Sequence, residues 1–271
     1  MLKLKKKENI KIIKLGGSLL TDKNKPFSLR KDIIKKSILQ IIESNEKIIL
    51  IHGGGSFGHP VAKKYRIFDG FNPKIKDQLI GLSKTQKTMN EFNSFIINEF
   101  LDNNCPAIPV QPSSIFIKDG GKIIIKSIDI IEFLLQLNII PILYGDIIID
   151  LQNSFSIISG DQIIVSLCNN IHKYKIDKII FAIEKDGIFI ENEKDKQNPK
   201  LLKEITFSEI LSINLANLDD KIDVTGGIKG KLDEIKRIHQ FKIPVHIING
   251  LKNENILKSL KNEEIISSII K

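Results

Sequence analysis

The segment His52-Gly-Gly-Gly-Ser-Phe-Gly-His59-Pro60 follows directly on the apolar run Lys47-Ile-Ile-Leu-Ile51. A strand that ends in three glycines leaves bare backbone N–H groups where an anion can sit, because no Cβ blocks close approach and glycine tolerates φ > 0. The segment reads as a phosphate cradle with a histidine set into it, on the loop after the strand. It is not a Walker A loop, since no Gly-Lys-Ser/Thr follows, and its spacing does not give G-x-G-x-x-G. Three more glycine turns accompany it: Lys14-Leu-Gly16-Gly17-Ser18, Ile158-Ser-Gly160-Asp161 and Asp223-Val-Thr-Gly226-Gly227-Ile-Lys-Gly-Lys231. Each follows an apolar run or opens a helical stretch. Those are the places where open α/β sheets bind ligands and where helix starts favour phosphate.

The elements that must hold these turns are legible as short, Ile-rich runs at Ile10–Leu15, Lys47–Ile51, Ala107–Val110, Ile139–Leu143, Ile179–Ile183 and Pro244–Ile248. Runs that are apolar on both faces suit strands covered on both sides. Helices are expected over Lys31–Ser44, Lys74–Leu101, Gly160–His172, Phe207–Asn214 and Gly227–Phe241. Alternating pieces at Gly121–Lys126, Ile147–Leu151 and Phe155–Ile158 read as hairpin strands trimming the sheet. The polar stretch Glu191–Lys200 is expected to be a flexible loop. The fold class is α/β, a three-layer αβα sandwich around a mostly parallel sheet.

With 271 residues, 42% of them hydrophobic, the chain can bury a sizeable core as one domain of two lobes. Its formal charge of +9 comes from 41 basic against 32 acidic residues, and only Arg30, Arg66 and Arg237 are arginines. Lysine spread along the whole chain reads as a solvated surface that also favours anionic small substrates, not as a nucleic-acid face. Cys105 and Cys168 are far apart and in no metal-ligand spacing. The basic start and the run Ile10–Leu15, broken by Lys11 and Lys14, do not make a signal peptide, and no segment reaches the length of a membrane span. A cytoplasmic location is expected.

Taken in order, the turns resemble the amino acid kinase superfamily, whose members transfer the ATP γ-phosphoryl group to carboxylate, carbamate or phosphate acceptors. Within it, Lys14-Leu-Gly-Gly-Ser-Leu-Leu-Thr-Asp-Lys23, the Gly58-His59-Pro60 element, Gln111-Pro-Ser-Ser114, Gly145-Asp146, Ile158-Ser-Gly-Asp161 and Asp223-Val-Thr-Gly-Gly227 are similar to the isopentenyl phosphate kinase family. The resemblance implies a single kinase domain over residues 1–271, with an acceptor-phosphate lobe over about 1–155 and a nucleotide lobe over about 156–271. It implies Lys14 and Lys231 on the β/γ-phosphates, Lys23 as a third cation, and Asp161 holding the lysines through ion pairs. Gly16, Gly17, Ser18, Gly55, Asp186, Gly187, Gly226 and Gly227 would line the nucleotide. His59, Gly54, Gly55, Gly58 and Gly160 would hold the acceptor phosphate.

A phosphate monoester has a second pKa near 6, so its attacking oxygen is already ionised at neutral pH and no strong general base is required. His59 is therefore cast as a hydrogen-bond donor, and His52, ending the strand, as structural. The acceptor's tail needs an apolar slot, and Met89, Phe92, Phe95, Ile96 and Phe100 recur at helical spacing to offer one. Where relatives carry Thr-Asp-Val-Asp-Gly-Val, this chain has Ile183-Glu-Lys-Asp-Gly-Ile188. Between Lys229 and Lys231, the family's Gly-Gly-x-x-x-Lys spacing selects Lys231. The implied activity is ATP-dependent phosphorylation of isopentenyl phosphate, with Mg²⁺ held chiefly by the nucleotide because no carboxylate cage is visible, and with a homodimer as the assembly. The alternatives are a kinase for another phosphate or phosphonate, fosfomycin-type resistance kinases included, or for a carboxylate.

Overall fold

Six of the seven residues of the first strand, β1 (Asn9–Leu15), are buried, Lys11 and Lys14 among them. Nothing but the centre of a covered sheet buries both faces of a strand in this way. The computed structural model describes residues 7–22, 24–192, 195–212 and 228–271. Along the chain the strands are β1, β2 (Ile48–His52), β3 (Ala107–Pro109), β4 (Phe116–Asp119), β5 (Lys122–Ile125), β6 (Ile140–Tyr144), β7 (Asp146–Asp150) and β8 (Ser154–Ile158). Then come β9 (Lys175–Ile183), β10 (Ile188–Asn192), β11 (Asp195–Leu202), β12 (Glu204–Ile205), β13 (Val245–Asn249) and β14 (Ser267–Ile270). Eight of these make the main sheet in the order β12-β14-β13-β9-β1-β2-β6-β3. Every pairing in it is parallel except β13 with β14.

The helices are α1 (Gly17–Leu20), α2 (Lys31–Ser44), α3 (Gly55–Lys64), α4 (Gln78–Leu101), α5 (Pro112–Ile115), α6 (Ile128–Gln136), α7 (Gly160–Asn170), α8 (Phe207–Ser212), α9 (Ile228–Ile238) and α10 (Asn255–Leu260). One face of the sheet packs Ile12, Ile51 and Phe181 against Ile163, Ile164 and Leu167 of α7 and Leu232 and Ile235 of α9. The other packs Ile13, Leu50 and Ile180 against Ile34 and Ile38 of α2, Phe92 and Ile96 of α4, and Ile256 and Leu260 of α10. The expected three-layer α/β architecture is what the chain adopts. Each fully buried Ile or Leu contributes roughly 1.5–3 kcal/mol.

Four local expectations are corrected. The residues after His52 form helix α3, so His59 lies on a helix and not on a loop. Gly55, Gly58 and Pro60 are poor helix formers, yet here the fold overrides propensity. Pro60 lacks the N–H that would bond the Ser56 carbonyl, and that carbonyl instead accepts from Phe27 N at 3.1 Å. Next, Ile147–Leu151 and Phe155–Ile158 do not trim the main sheet: β7 and β8 pair with β4 and β5 in a separate four-stranded sheet, ordered β5-β4-β7-β8. Finally, the stretch expected as a loop at Glu191–Lys200 contains most of a two-stranded ribbon, β10 with β11, registered by Ile188 opposite Leu202 and Phe189 opposite Leu201. Apolar residues at its base fix that register while the polar middle carries no periodic signal. Helix α4 also starts later than Lys74, because Asp77 takes a left-handed conformation, φ 58°, and breaks the turn before it.

Candidate active site

At the carboxyl edge of the main sheet, the strands run out into glycines whose N–H groups close the last rung of the ladder. Gly16 N donates to Ala182 O (2.9 Å), Gly53 N to Leu15 O (3.1 Å), Gly145 N to His52 O (3.2 Å) and Gly250 N to Ile183 O (2.8 Å). A cavity of about 610 Å³ opens over Gly16, Gly53 and Gly145. Helices α1, α3 and α7 begin on it, each with its first residue in the lining, and Lys231 of α9 reaches it too. Converging helix starts bias such a space toward anions.

Two turns of the cavity wall touch through their backbones. A Cβ on Gly17 would stand 2.4 Å from Gly55 N, and one on Gly55 would stand 2.2 Å from Thr21 Oγ1. Gly55 also takes φ +47°, which favours glycine. Thr21, fully buried, bolts the pair together: its hydroxyl donates to Gly17 O at 2.7 Å and accepts from Ser56 N at 2.9 Å. Thr21 stands in the Lys14–Lys23 motif with no role readable there, since its two partners, 4 and 35 residues away, are known only from the fold.

Lys14 and Asp161 meet on the opposite wall. The Lys14 ammonium donates to Asp161 Oδ1, with the two side chains only 7% and 13% exposed, and it lies 5.9 Å from the centre of the Phe181 ring. Asp161 is placed by a capping box at the head of α7. There Ser159 Oγ accepts from Gln162 N at 3.1 Å while Gln162 Oε1 accepts from Ser159 N at 2.9 Å. A carboxylate beside a buried ammonium fixes that cation at the cavity wall.

Of the residues expected from sequence, Lys14, Gly16, Gly17, Ser18, Gly54, Gly55, Gly58, His59, Gly160, Asp161 and Lys231 line this one cavity. Asp186 and Gly187 do not. The Asp186 carboxylate faces Lys252 (2.7 Å) and accepts from Asn249 Nδ2 (3.1 Å), and a Cβ on Gly187 would strike Ser268 Oγ at 2.2 Å. Lys23, Gly226 and Gly227 lie outside the described residues, as does the side chain of Lys229. His52 is fully buried beneath the cradle, stacked on Tyr144 with ring centres 5.3 Å apart and edge-on to Phe92. Burial drives its imidazole down to about 4, so at neutral pH it is an uncharged packing residue.

The apolar end of the cavity differs from the expected slot. Phe92, Ile96 and Phe100 are wholly in the core under α4, Phe95 only packs against that core, and Met89 alone of the stripe reaches the cavity. The rest of that end is Ala62, Phe68, Thr85, Ile147 and Ile157, from α3, the turn after it, α4 and the small sheet. Helical spacing marks which residues face inward but does not separate a core from a cavity. Asp146, which the sequence carries in Gly145-Asp146 with no role assigned, belongs to the site as well. It lines the cavity 2% exposed and accepts from Ser113 N (3.0 Å) and Ile147 N (2.8 Å); burial nonetheless pushes its carboxyl upward.

Fold and cavity together define an α/β protein built to bring phosphate groups to the carboxyl ends of its strands. Residues 9–249 match the amino acid kinase family, and the chain belongs to that family. It is 39% identical over 259 residues to the isopentenyl phosphate kinase of Methanocaldococcus jannaschii, covering 92% of this chain and 94% of that one. To the isopentenyl phosphate kinase of Methanothermobacter thermautotrophicus it is 30% identical, covering 90% and 92%. Among solved structures, one described as an X-ray structure of isopentenyl phosphate kinase superposes with a TM-score of 0.81 at 28% identity, covering 97% of this chain and all of the other.

Proposed function

We propose that this protein transfers the γ-phosphoryl group of ATP to isopentenyl phosphate, forming isopentenyl diphosphate for isoprenoid synthesis. The observation that carries the reading is the two-ended cavity: cations, glycine backbone and helix starts at one end, and Ala62, Phe68, Met89, Ile147 and Ile157 at the other. A short hydrocarbon tail attached to a phosphate matches both ends at once. The similarity to isopentenyl phosphate kinases at up to 39% identity supports the same acceptor.

Two anions must approach each other in line, so the chemistry is neutralisation and positioning more than covalent catalysis. Lys14 and Lys231 carry the charge of the β/γ-phosphates, with the turns at Gly16–Ser18 and Gly54–Gly55 around them. Asp161 keeps the Lys14 ammonium aimed into the cavity. His59, together with Gly54, Gly55, Gly58 and Gly160, holds the acceptor phosphate, and Lys23 adds a third cation. The acceptor oxygen arrives already ionised, so no group on the chain has to remove its proton.

Mg²⁺ accompanies the nucleotide and supplies further neutralisation of its phosphates. Among the described residues no group of three or more His, Cys, Asp or Glu side chains is disposed to hold a metal. We assign residues 1–155 to the acceptor lobe and 156–271 to the nucleotide lobe, and we place Asp186, Gly187, Gly226 and Gly227 toward the nucleotide. We take the working form to be a cytoplasmic homodimer. Among the described residues no helix is long and apolar enough to cross a membrane.

The test is coupled ADP release with ATP, Mg²⁺ and isopentenyl phosphate, run beside a His59→Ala variant. Turnover that falls about a hundredfold or more in the variant supports both acceptor and cradle. Turnover confined to a phosphonate or a carboxylate acceptor would leave the kinase and remove the isoprenoid assignment.

A further inference from the structure

Two motifs that the phosphate chemistry leaves unused, Gln111-Pro-Ser-Ser114 and Gly145-Asp146, stand where the chain leaves the main sheet for the small one. It makes that crossing twice, from the carboxyl ends of two neighbouring parallel strands. From β3 it runs through α5 into β4, and from β6 it runs through Gly145 into β7. A single carboxylate joins the two crossings. Asp146, the first residue of β7, accepts from Ser113 N of α5 through Oδ2 at 3.0 Å and from Ile147 N through Oδ1 at 2.8 Å. Ser113 Oγ in turn accepts from Gln86 Nε2 of α4 at 2.8 Å and from Gln111 Nε2 at 2.7 Å. The junction therefore ties β7 and α5 to α4, whose Phe92 and Ile96 are packed on the main sheet.

What the junction sets is the spacing between the two ends of the large cavity. The phosphate end hangs on the main sheet and on the helices that start at its edge. Ile147 and Ile157, directly opposite one another on β7 and β8, bring the small sheet to the tail end. Ile147 also packs with Ala62, Ile67 and Phe155, but apolar contact is non-directional and allows a sliding that hydrogen bonds to a carboxylate do not. Asp146 itself is a poor partner for the substrate. An ionised carboxylate has no hydrogen to give a phosphate and repels it. At 2% exposure, both of its oxygens are already engaged. The side chains of Ser113 and Gln86 add to the donors that favour its ionised form.

We infer that Asp146 is a positioning residue for acceptor selection: its carboxylate staples the two crossings between the sheets and so fixes how far the wall of Ile147 and Ile157 stands from the phosphate cradle. Ser113 and Gln86 support it. A seat built this way discriminates by tail and not by phosphate. Loosening the staple lets the wall drift, so the hydrocarbon loses contact while the phosphate is held as before. The role rests on the acceptor proposed above.

The experiment is steady-state kinetics of the intact protein with ATP, Mg²⁺ and isopentenyl phosphate, together with the inhibition constant of ethyl phosphate, which offers the same phosphate on a shorter tail. Asp146→Asn keeps the shape but turns an NH2 group toward one of two backbone N–H donors. Its KM for isopentenyl phosphate is expected to rise about tenfold or more, with kcat, the KM for ATP and the ethyl phosphate constant each within about twofold. Ser113→Ala keeps the Ser113 N–H and removes only the hydroxyl. It should raise the same KM by about threefold, and it carries the test should Asp146→Asn fold poorly. Glu132→Gln is the control, a carboxylate on α6 that is 3% exposed, accepts from His172 N and Lys173 N at 2.9 and 2.8 Å, and lies outside the cavity lining. It should lower the thermal midpoint and leave the acceptor constants alone. Absence of wild-type turnover would remove the acceptor reading and this role with it. Wild-type turnover with KM unchanged in both variants, a fall in kcat instead, a parallel change in the ethyl phosphate constant, or the same KM rise in Glu132→Gln would overturn the role alone.

Discussion

Lys11 and Lys14 stand three residues apart on the same strand, both buried, at 5% and 6% exposure, and both ion-paired. The odd spacing sends them to opposite faces of the sheet. Lys14 meets Asp161 at the edge of a 610 Å³ cavity. Lys11 meets Glu46 beside Lys178, which donates to Ser259 O at 2.9 Å, on the face covered by α2 and α10. Burial plus an acidic partner is thus common to both and distinguishes neither. What separates them is space in front of the ammonium: one cation has room for an anion and converging helix starts, the other has only packed side chains.

The sharpest way to break this comparison is Lys14→Ala. Its kcat/KM is expected to fall by on the order of a thousandfold or more, because a cation used on the transferring group is lost. An effect under tenfold in steady-state assays would equate the two lysines. Thr21→Val comes next. It keeps the shape but leaves Ser56 N without its hydroxyl partner, while Gly17 O keeps only the Thr21 N–H at 3.0 Å, so urea unfolding should register a loss of about 1–3 kcal/mol. Its kcat should fall together with stability, because the two glycine turns lose their common bolt; unchanged kcat would make the bolt purely structural.

The third test concerns acid. His52 and His246 are both driven down to about 4 by burial, with Lys178 adding to the depression at His246. Between that value and the unfolded value of about 6.5 the unfolded chain binds more protons, so stability falls as pH drops through this window. For fully buried His52 the loss amounts to at most about 3 kcal/mol. Urea midpoints at about pH 5 and about pH 7 should differ in that sense, and His246→Leu should narrow the gap. A midpoint that is flat or rises on acidification would contradict the burial of both rings. The smallest effect belongs to Lys11→Met: kcat/KM within about twofold and stability within about 1 kcal/mol, since exchanging a buried charge for an apolar chain is often neutral when the partner can hydrate. Glu46, 33% exposed, can do so.

The strands of the main sheet were legible because Ile10–Leu15, Lys47–Ile51 and Ile179–Ile183 are continuous apolar runs, a pattern that a doubly covered sheet requires and few alternatives produce. The cavity residues on those strand ends followed from the glycines and from family resemblance together. Helix α3 was not legible, because its residues are individually poor helix formers and its stability comes from partners elsewhere in the chain. The tail end of the cavity was hidden for a related reason. Ala62, Phe68, Ile147 and Ile157 lie on elements that meet only after folding, and no spacing along one segment relates them. Lys11 and Lys14 look alike in sequence for the same cause, since the empty space that separates their roles is a property of the assembled molecule.

Pro60 has an effect beyond its own helix. By withholding one N–H it exports the Ser56 carbonyl to Phe27, so the strap of residues 24–30 is moored to α3 by an acceptor that an ordinary helix would have consumed internally. Ser28 N adds a second tether to Ser56 Oγ at 3.3 Å, and the Phe27 ring sits edge-on to Phe57 at 5.8 Å. The strap and the histidine-bearing helix therefore travel as one piece. Any displacement of His59 is inherited by the chain leading into α2, and an imino acid in one segment serves as the anchor point of another.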